Sequence, residues 1–558
     1  MMNEINIPVL IVGAGPVGLA LALDLGWRGI DCLIIDQSDL DVVLPRASGL
    51  TSRTMEFCRR WNLTDDLANC GFPLDYPLDI VYCTSLGGHE IERDPFSSIR
   101  DRPAPHYSPE PRFRCPQKMF DPILERALDR YPTVNLRRRH RLEGFEQDDE
   151  GVTAFVRPLE ESRIHDFSGD DVGANALRAT TDAGTIRVRA RYMVACDGVD
   201  SPVRNALGIG LDGTPVLNYA LSVFFKSPAL HKRTRLGAAE RYMLIGKEGI
   251  WGNLTVVDGS DEWRLSLMGS KKRFDLASLD CEAYVRRCLG DDTIPFEIIS
   301  AAPWRRREVV ATELRRGRIF LAGDAAHAMS PTGGLGMNAG LADVVDLGWK
   351  LEAILRGWGG EVLMDSYTPE RKPANERYVK AATALFVPWI LDLDYSLMED
   401  DTPKGEAARR EIGRILKSAL SPSWNTDGTS MGYRYDDSPI IVQDGSAPPP
   451  DDPVVYTQSA RPGARAPHAW LADGRSTLDL FGRGFVLLRF DTTLDITPFT
   501  TGAAIRGLPL TVETLEIPAI ATLYEQPLVL VRPDGHVAWR GAAVPEAPLA
   551  IIDIVRGA

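Results

Sequence analysis

The chain has 558 residues, 44% hydrophobic and 25% charged, with a net charge of −14 and a pI near 5.2. That length allows two to four domains, and the acidic balance argues against a nucleic-acid or anionic-membrane surface, leaving Arg137–Arg139 and Arg305–Arg307 as solvated or phosphate-facing patches. No run of about 20 apolar residues and no N-terminal signal pattern occurs, which predicts a cytoplasmic protein. The eight cysteines are scattered, without Cys-x-x-Cys or metal-ligand spacing, and predict reduced thiols and no metal site.

In chain order, residues 7–12 form an apolar run that predicts a buried parallel strand. Residues 17–27 predict a helix apolar on nearly every side and ended by Gly29, and 32–35 a second strand closed by Asp36. Within this βαβ unit, Gly13-x-Gly15-x-x-Gly18 reads as a dinucleotide-binding turn. Gly13 permits the turn, Gly15 lets backbone approach a pyrophosphate, and Gly18 lets the helix pack on the strand. Pro16 and Val17 open the helix whose N–H groups and dipole face the phosphates. Asp36 lies 23 residues after Gly13, where an acid accepts hydrogen bonds from a ribose diol and repels a 2′-phosphate. FAD or NAD is therefore expected there; the other reading is a glycine-rich turn without a ligand.

Residues 158–178 are polar and predict a loop insertion. Runs at 219–225, 250–257 and 263–267, the last two joined through Asp258-Gly259, predict an antiparallel middle-domain sheet that can cover a ligand. An apolar strand at 318–322 then enters the box Gly323-Asp324-Ala325-Ala326-His327, a glycine-rich loop and a helix starting near Met337. A carboxylate between a strand end and a helix N-terminus suits the ribityl and phosphate parts of FAD. Pro331–Gly336 brings backbone close to a flat ring, and the helix dipole stabilises negative charge on reduced flavin. Helix capping is the alternative for Asp324, and His327 is placed near the pyrophosphate ahead of a catalytic role. Residues 366–420 predict mostly helix, 444–453 a stiff polar linker, and 485–489 with 528–535 a small α/β domain.

Taken in order, these elements resemble the class A flavoprotein aromatic hydroxylases, the single-component FAD-dependent monooxygenases. The likeness is carried by Gly13-Ala-Gly-Pro-Val-Gly18, Pro45-Arg46-Ala47 leading into Ser52–Glu56, Pro116-Gln117, and Cys196-Asp197-Gly198 with Ser201 and Arg204. It continues in the Gly323–His327 box with Pro331 and Gly334-Leu-Gly-Met-Asn338, and in Tyr367 with Glu370-Arg371. It implies an α/β fold with a Rossmann-like FAD-binding domain from 1–74, 111–204 and 310–400, and an antiparallel-sheet substrate domain from 75–110 and 205–309. A helical segment and linker (401–453) and a thioredoxin-like domain (454–558) follow; with no cysteine after Cys288, that last domain has no thiol redox chemistry.

The resemblance implies tightly but non-covalently bound FAD, transient NADPH or NADH, and hydroxylation of a phenolic or polycyclic aromatic by O2 through a C4a-hydroperoxyflavin. It assigns Asp36 to the adenosine ribose, with Gln37 beside it in the cofactor set, and Arg46 and Gln117 to phosphates or ribityl chain. Asp197 and Gly198 go beside FAD and the nicotinamide donor, Asp324 on the ribityl and phosphate region, and Pro331, Gly334, Gly336, Met337 and Asn338 against the isoalloxazine. A surface salt bridge is the alternative for Arg46.

Two departures matter. Leu44 stands where many relatives have His, and Ser48 where phenol-hydroxylase-type relatives have an acid; serine is a poor base near neutral pH, so the catalytic base stays open. Candidate substrate-site residues are Ser48, Tyr219, Arg241, Trp251, Asn253 and Arg264, with ordinary sheet packing as the other reading. Baeyer–Villiger-type oxygen insertion, a reductase, and a flavin-binding protein without turnover remain open. A halogenase is disfavoured because Pro303-Trp304-Arg305 offers one tryptophan where Trp-x-Trp-x-Ile is needed. Expected partners are a small aromatic substrate and O2, with no nucleic acid or membrane, and on family grounds a homodimer.

Overall fold

The structure, a computed structural model of the chain, describes residues 4–39, 47–160, 177, 184–228 and 230–558. Leu44, Pro45 and Arg46, and most of the 158–178 insertion, lie outside the described residues.

The strand Glu4–Val12 is flanked on both sides by parallel neighbours, Cys32–Ile35 and Ile186–Ala195, and Ile319–Leu321 lies beyond the latter. A strand covered on both faces must be apolar throughout its buried half, and Val9–Val12 is. Helix Pro16–Arg28 returns the chain between the first two strands and stops at Gly29, whose φ of 71° is the left-handed conformation glycine adopts without strain. Because three adjacent strands run parallel, Val12, Ala195 and Leu321 finish at the same edge of the sheet. Gly13, Cys196–Gly198 and Gly323–Asp324 therefore meet there, where ligands bind in open α/β sheets.

The middle sheet has the order His327–Ala328, Glu297–Ala311, Leu211–Lys226, Glu262–Ser270, Gly249–Val256, Arg241–Gly246, Ile80–Cys83, Glu90–Asp94. Every neighbouring pair is antiparallel except Arg241–Gly246 with Ile80–Cys83. That exception to an all-antiparallel expectation arises because Ile80–Cys83 arrives on a separate excursion of the chain, so no hairpin fixes its direction. Alternation sends Trp263, Leu265 and Leu267 into one core with helix Cys281–Leu289, and Arg264, Ser266 and Met268 to the opposite face. The expected helical stretch 366–420 is interrupted: Tyr367–Phe386 and Pro403–Leu420 are separate helices, joined through a short turn Val387–Ile390 and irregular chain.

The C-terminal sheet has the order Leu510–Thr514, Phe485–Arg489, Leu528–Val531, Val537–Gly541, the first pair parallel and the others antiparallel. With helices Thr497–Ile505, Pro518–Tyr524 and Pro548–Val555 this is a thioredoxin-like arrangement. Phe485 meets Trp349 and Trp358 edge-on at 5.9 and 6.3 Å, joining this sheet to the helix that follows the box. Among the described residues, no helix is long and apolar enough to cross a membrane, and no group of three or more His, Cys, Asp or Glu side chains is placed to hold a metal.

Candidate functional site

Packing fixes two of the three N-terminal motif glycines. Gly13 has a φ of 101°, and a Cβ there would lie 2.3 Å from the carbonyl oxygen of Cys196; one on Gly18 would lie 1.9 Å from that of Gly13. Gly15 differs, since a Cβ on it would meet nothing within 4 Å. The open space lies at a helix N-terminus that no side chain caps, with Pro16 at the first helical position where a missing N–H is harmless. The helical N–H groups of Val17 and Gly18 are left to a ligand. Asp36, at the end of the second strand, accepts the Ala14 N–H at 2.6 Å and the Ser38 N–H and hydroxyl at 2.8 and 2.5 Å, and Gln37 follows it, half-buried.

Asp197 accepts the Val203 N–H at 3.1 Å through one carboxylate oxygen, while the other is buried without a partner. Burial pushes this carboxyl up to about 6, against the pull of its Ser201 and backbone hydrogen bonds and of Arg204. Gly198, with a φ of 85°, also borders open space. Asp324 is exposed on the single turn Gly323–Ala325. Unused N–H donors at one end and carboxylate acceptors at the other match a pyrophosphate joined to a polyol, so these residues fit FAD.

The flavin-ring end is built on the helix Gly336–Arg356, which begins uncapped after Gly333 and Gly334, with φ of 80° and 68°. A Cβ on Gly334 would meet nothing within 4 Å and one on Gly336 only the Met329 side chain, at 3.8 Å, so backbone lies open to a flat ring; Pro331 is exposed at the loop's start and Met337 is buried. Asn338 behaves differently from expectation, because its side chain is fully engaged with protein. It donates to the Gly49 and Gly334 carbonyls at 3.0 and 2.6 Å and accepts the Thr51 N–H and Thr54 hydroxyl at 3.0 and 2.6 Å. Asn338 thus clamps the segment after residue 47 to the flavin loop, and only its backbone N–H is available to a ring. Gln117 is tied down likewise, its N–H donating to the Ala47 carbonyl at 2.9 Å and its side-chain amide to Asp121 at 3.0 Å.

His327 pairs with an acid on the helix that follows the box. It is buried, with Nε2 2.8 Å from Asp343, which also accepts the Gly323 N–H at 3.1 Å, Arg371 at 2.9 Å and Asn375 at 3.1 Å. Burial acts against this carboxylate, and the neighbouring His327 and Arg371 outweigh it, holding Asp343 below the usual range. His327 and Arg371 are braces for the box. Glu370, one residue earlier, points elsewhere: it accepts Lys350 at 2.5 Å and Arg532 at 2.5 and 3.0 Å, and Arg532 also binds Asp346 at 2.9 Å and Asp534 at 2.5 Å. Burial holds Asp346 well above the usual range, whereas Arg532 and Lys350 take Glu370 down to about 2 against its own burial. Two cations, Lys350 and Arg532, thus face Glu370, Asp346 and Asp534 in one group between the box helix and the C-terminal domain.

The face of the middle sheet opposite the Trp263 core is mixed, with Ile80, Tyr82 and Met243 packed on Phe386, Trp389 and the helix Pro403–Leu420. Cross-strand register places Ile80, Arg241, Thr255, Arg264, Phe224 and Ser300 in one row, and Tyr82, Met243, Asn253, Ser266, Ser222 and Ala302 in the next. Arg241, Asn253 and Arg264 thus share this face, and Ser48 reaches its edge, 3.4 Å from Arg114. Trp251 does not: a bulge opposite Leu244 and Ile245 turns it into the far core, where Arg287 stacks on it at 4.3 Å. Tyr219 sits at another bulge, opposite Ser270 and Arg305, away from the arginine row. Sequence reasoning passed over Arg114, Glu240 and Trp424, and it took Arg306 for part of a solvated or phosphate-facing patch, whereas Arg306 is buried. Arg306 joins the sheet to the loop after the box through Ser330 at 2.6 Å and stacks on Phe386 at 3.8 Å. Of the three passed over, only Arg114 carried a signal, its position two residues before Pro116.

A dinucleotide turn, two strand-end carboxylates, an open helix N-terminus and a sheet roofing it define an FAD-dependent aromatic-ring monooxygenase, and the chain belongs to that family. An FAD-binding-domain model matches residues 6–382, and a model described as the C-terminal part of aromatic-ring hydroxylases matches 459–552. The chain is similar to tetracenomycin B2 monooxygenase-dioxygenase of Streptomyces olivaceus, 33% identical over 99% of this chain and 98% of the relative. It is also similar to the 2,4-dichlorophenol 6-monooxygenase of Cupriavidus pinatubonensis, 30% identical over 98% and 95%. Among solved structures, the rebeccamycin biosynthetic enzyme RebC with reduced flavin superposes with a TM-score of 0.89 at 37% identity, covering 99% of both chains. Aklavinone-11 hydroxylase with FAD and aklavinone gives 0.79 at 27% identity, covering 100% of both.

Proposed function

We propose that this enzyme hydroxylates a phenolic, polycyclic aromatic substrate, taking one oxygen atom from O2 and electrons from NADPH or NADH. The observation that carries the reading is the open backbone at Gly334 and Gly336, where an uncapped helix begins. The substrates for which relatives are named, tetracenomycin B2 and aklavinone, favour a polycyclic over a single ring. Bound FAD supplies electron transfer and oxygen activation. The chain's share is placement: Gly15, Val17 and Gly18 hold the phosphates with Arg46, Asp36 and Gln37 the adenosine side, Asp197, Asp324 and Gln117 the polyol side. The N–H groups of Gly336, Met337 and Asn338 stabilise negative charge on the ring. The sheet keeps water from the reacting oxygen, and Ser48 orients the substrate hydroxyl. Within this reading the chain divides into the FAD, substrate and thioredoxin-like domains at the boundaries expected above. A cytoplasmic homodimer is the assembly we assign on family likeness, which light scattering and cell fractionation test.

The deciding experiment measures the visible spectrum and released-cofactor mass of the purified protein, then NADH and NADPH oxidation against single-ring and polycyclic phenols. Bound FAD and substrate-stimulated oxidation yielding a phenolic product heavier by one oxygen are expected. A ring-expanded lactone overturns hydroxylation in favour of Baeyer–Villiger insertion, and oxidation that no aromatic stimulates overturns the monooxygenase reading for this chain.

A further inference from the structure

Two thiols meet where the chain crosses between the parallel-sheet core and the middle sheet. The first crossing leaves helix Thr64–Ala68 and runs through Cys70 to Phe72 and Leu78, both buried in the middle-sheet core. The second returns through Phe113–Arg114 and Cys115 into helix Gln117–Leu128. Cys70 packs against both cores, and Cys115 is buried in the parallel-sheet one. The crossings lie side by side: Arg114 stacks on the Phe72 ring at 5.0 Å, and the Cys70 and Cys115 side chains are hydrogen-bonded to each other.

The two sulfurs are not equivalent. Cys115 is completely buried, whereas Cys70 is only half-buried and open to solvent on one side. The hydrogen bond from Cys115, helped by the Phe72 N–H, brings the Cys70 thiol down to about 7 against its partial burial. The same bond, together with burial, holds Cys115 well above the ordinary range. The buried cysteines nearby are different: Cys58, and the neighbours Cys83 and Cys288 inside the middle-sheet core, are all pushed up by burial. A partly exposed thiolate beside a buried thiol is the arrangement of a peroxide-reactive cysteine and its resolving partner. The pair also adjoins the cofactor machinery. The Cys115 N–H donates to the Ser48 carbonyl at 3.0 Å, and the Gln117 N–H to that of Ala47 at 2.9 Å.

We propose that Cys70 and Cys115 are a modification site, which hydrogen peroxide converts to a disulfide that staples the two crossings together. The Cys70 thiolate attacks one peroxide oxygen; an S–O bond forms as the O–O bond breaks, hydroxide leaves, and Cys70 becomes a sulfenic acid. The Cys115 sulfur then forms the S–S bond, and the sulfenic oxygen departs as water with the Cys115 proton. Two electrons pass from the sulfurs to the peroxide, and exchange with a dithiol reductant restores both thiols. An FAD oxygenase turning over without its substrate releases this oxidant itself. The cross-link closes a loop from 70 to 115 that includes the strands Ile80–Cys83 and Glu90–Asp94, so it restricts the unfolded chain and stabilises the folded one.

The FAD-loaded full chain is treated with a small molar excess of hydrogen peroxide. Its thiols are counted in denaturant, its peptides are mapped without reduction, and its unfolding temperature is recorded. The count is expected to fall by two from eight, with one cross-link, Cys70 to Cys115, and a raised unfolding temperature that dithiothreitol returns to the start. Cys70→Ser is expected to lose no thiol under the same treatment. Cys115→Ser leaves the Cys70 sulfenic acid without a partner, to be trapped as a dimedone adduct. Should C115S not fold, iodoacetamide near neutral pH takes its place: Cys70 of the parent is expected to react at least about tenfold faster than any other cysteine, and prior peroxide to block it. A count that stays at eight, a cross-link from Cys70 to Cys58, or equal thiol loss in C70S overturns the site. So does Cys70 carried to sulfinic acid in the parent while Cys115 stays reduced, and a cross-link that leaves the unfolding temperature unchanged overturns the staple. The oxidant is added and no NADPH or NADH is present, so a cross-link in a protein without hydroxylase activity sustains the thiol pair and overturns only the monooxygenase reading.

Discussion

Two buried groups of charged side chains, the seam around Glu370 and Arg532 and the roof around Arg241, differ in how their charges close. At the seam Lys350 and Arg532 meet Glu370, Asp534 and Asp346, the last held well above the usual carboxylate range by burial, so each cation faces more than one acid inside the protein. At the roof, four arginines act on Glu240, and one of them, Arg114, pairs with it directly. Desolvation is expensive in both places, and the seam offsets it with more ion pairs than the roof does. The seam joins the C-terminal domain to the box helix, whereas the Arg114–Glu240 pair ties the segment before Pro116 to the middle sheet.

The sharpest break of the comparison is at the seam. Arg532→Ala or Glu370→Ala leaves an uncompensated buried charge and is expected to lower stability by about 3–5 kcal/mol, read as a shift in the urea midpoint of the C-terminal domain's fluorescence. A shift below about 1 kcal/mol would mean the seam relaxes into water. Next in size is the cofactor end. Asp324 is exposed and stands where a polyol would accept its carboxylate as partner, so Asp324→Asn is expected to weaken FAD binding about 10- to 100-fold without moving apoprotein stability. Flavin-fluorescence titration of apoprotein reads the first and urea unfolding the second.

A smaller effect follows from pH. Burial pushes His468 and His536, both in the C-terminal domain, down to about 4. An unfolded chain takes up a proton on each near its ordinary value, about 6.5, where the folded domain does not. Stability is therefore complete above about pH 6.5 and falls as pH drops toward 4, the unfolded state binding more protons across that window. The urea midpoint between pH 7 and ~4.5 should fall less steeply in His468→Gln than in the parent. The smallest effect is at the roof: Arg241→Gln removes a cation that burial and neighbouring Arg114 disfavour, and should change stability by about 1 kcal/mol or less, read from the urea midpoint. A loss of several kcal/mol there would make the roof a second structural seam.

Much of the fold was legible because it depends on short-range signals. The parallel core showed in the apolar runs Val9–Val12, Cys32–Ile35 and Ile319–Leu321, and glycines and acids at their ends placed the cofactor edge. The roof was less legible for a physical reason. Trp251 and Asn253 share a parity in sequence, yet one bulge between them and the neighbouring strand sends them to opposite faces, and no local signal fixes a bulge. Arg114 and Glu240 are 126 residues apart and meet because two excursions of the chain into the middle domain close on each other. The motif residues Glu370 and Arg371 were visible, but adjacency in sequence concealed that one faces the C-terminal domain and the other the box.

That last pair has a consequence for how such a protein can change over generations. The proline-rich stretch 444–453 looks like a place where a gene could be cut and its tail exchanged. Yet Arg532 and Asp534 complete a lattice whose other half is carried by the helices Gly336–Arg356 and Tyr367–Phe386. A recombinant joined at the linker would inherit Asp346, Lys350 and Glu370 without their counterparts, one helical turn from the residues that brace the flavin box. The tail is therefore heritable only together with the surface it closes.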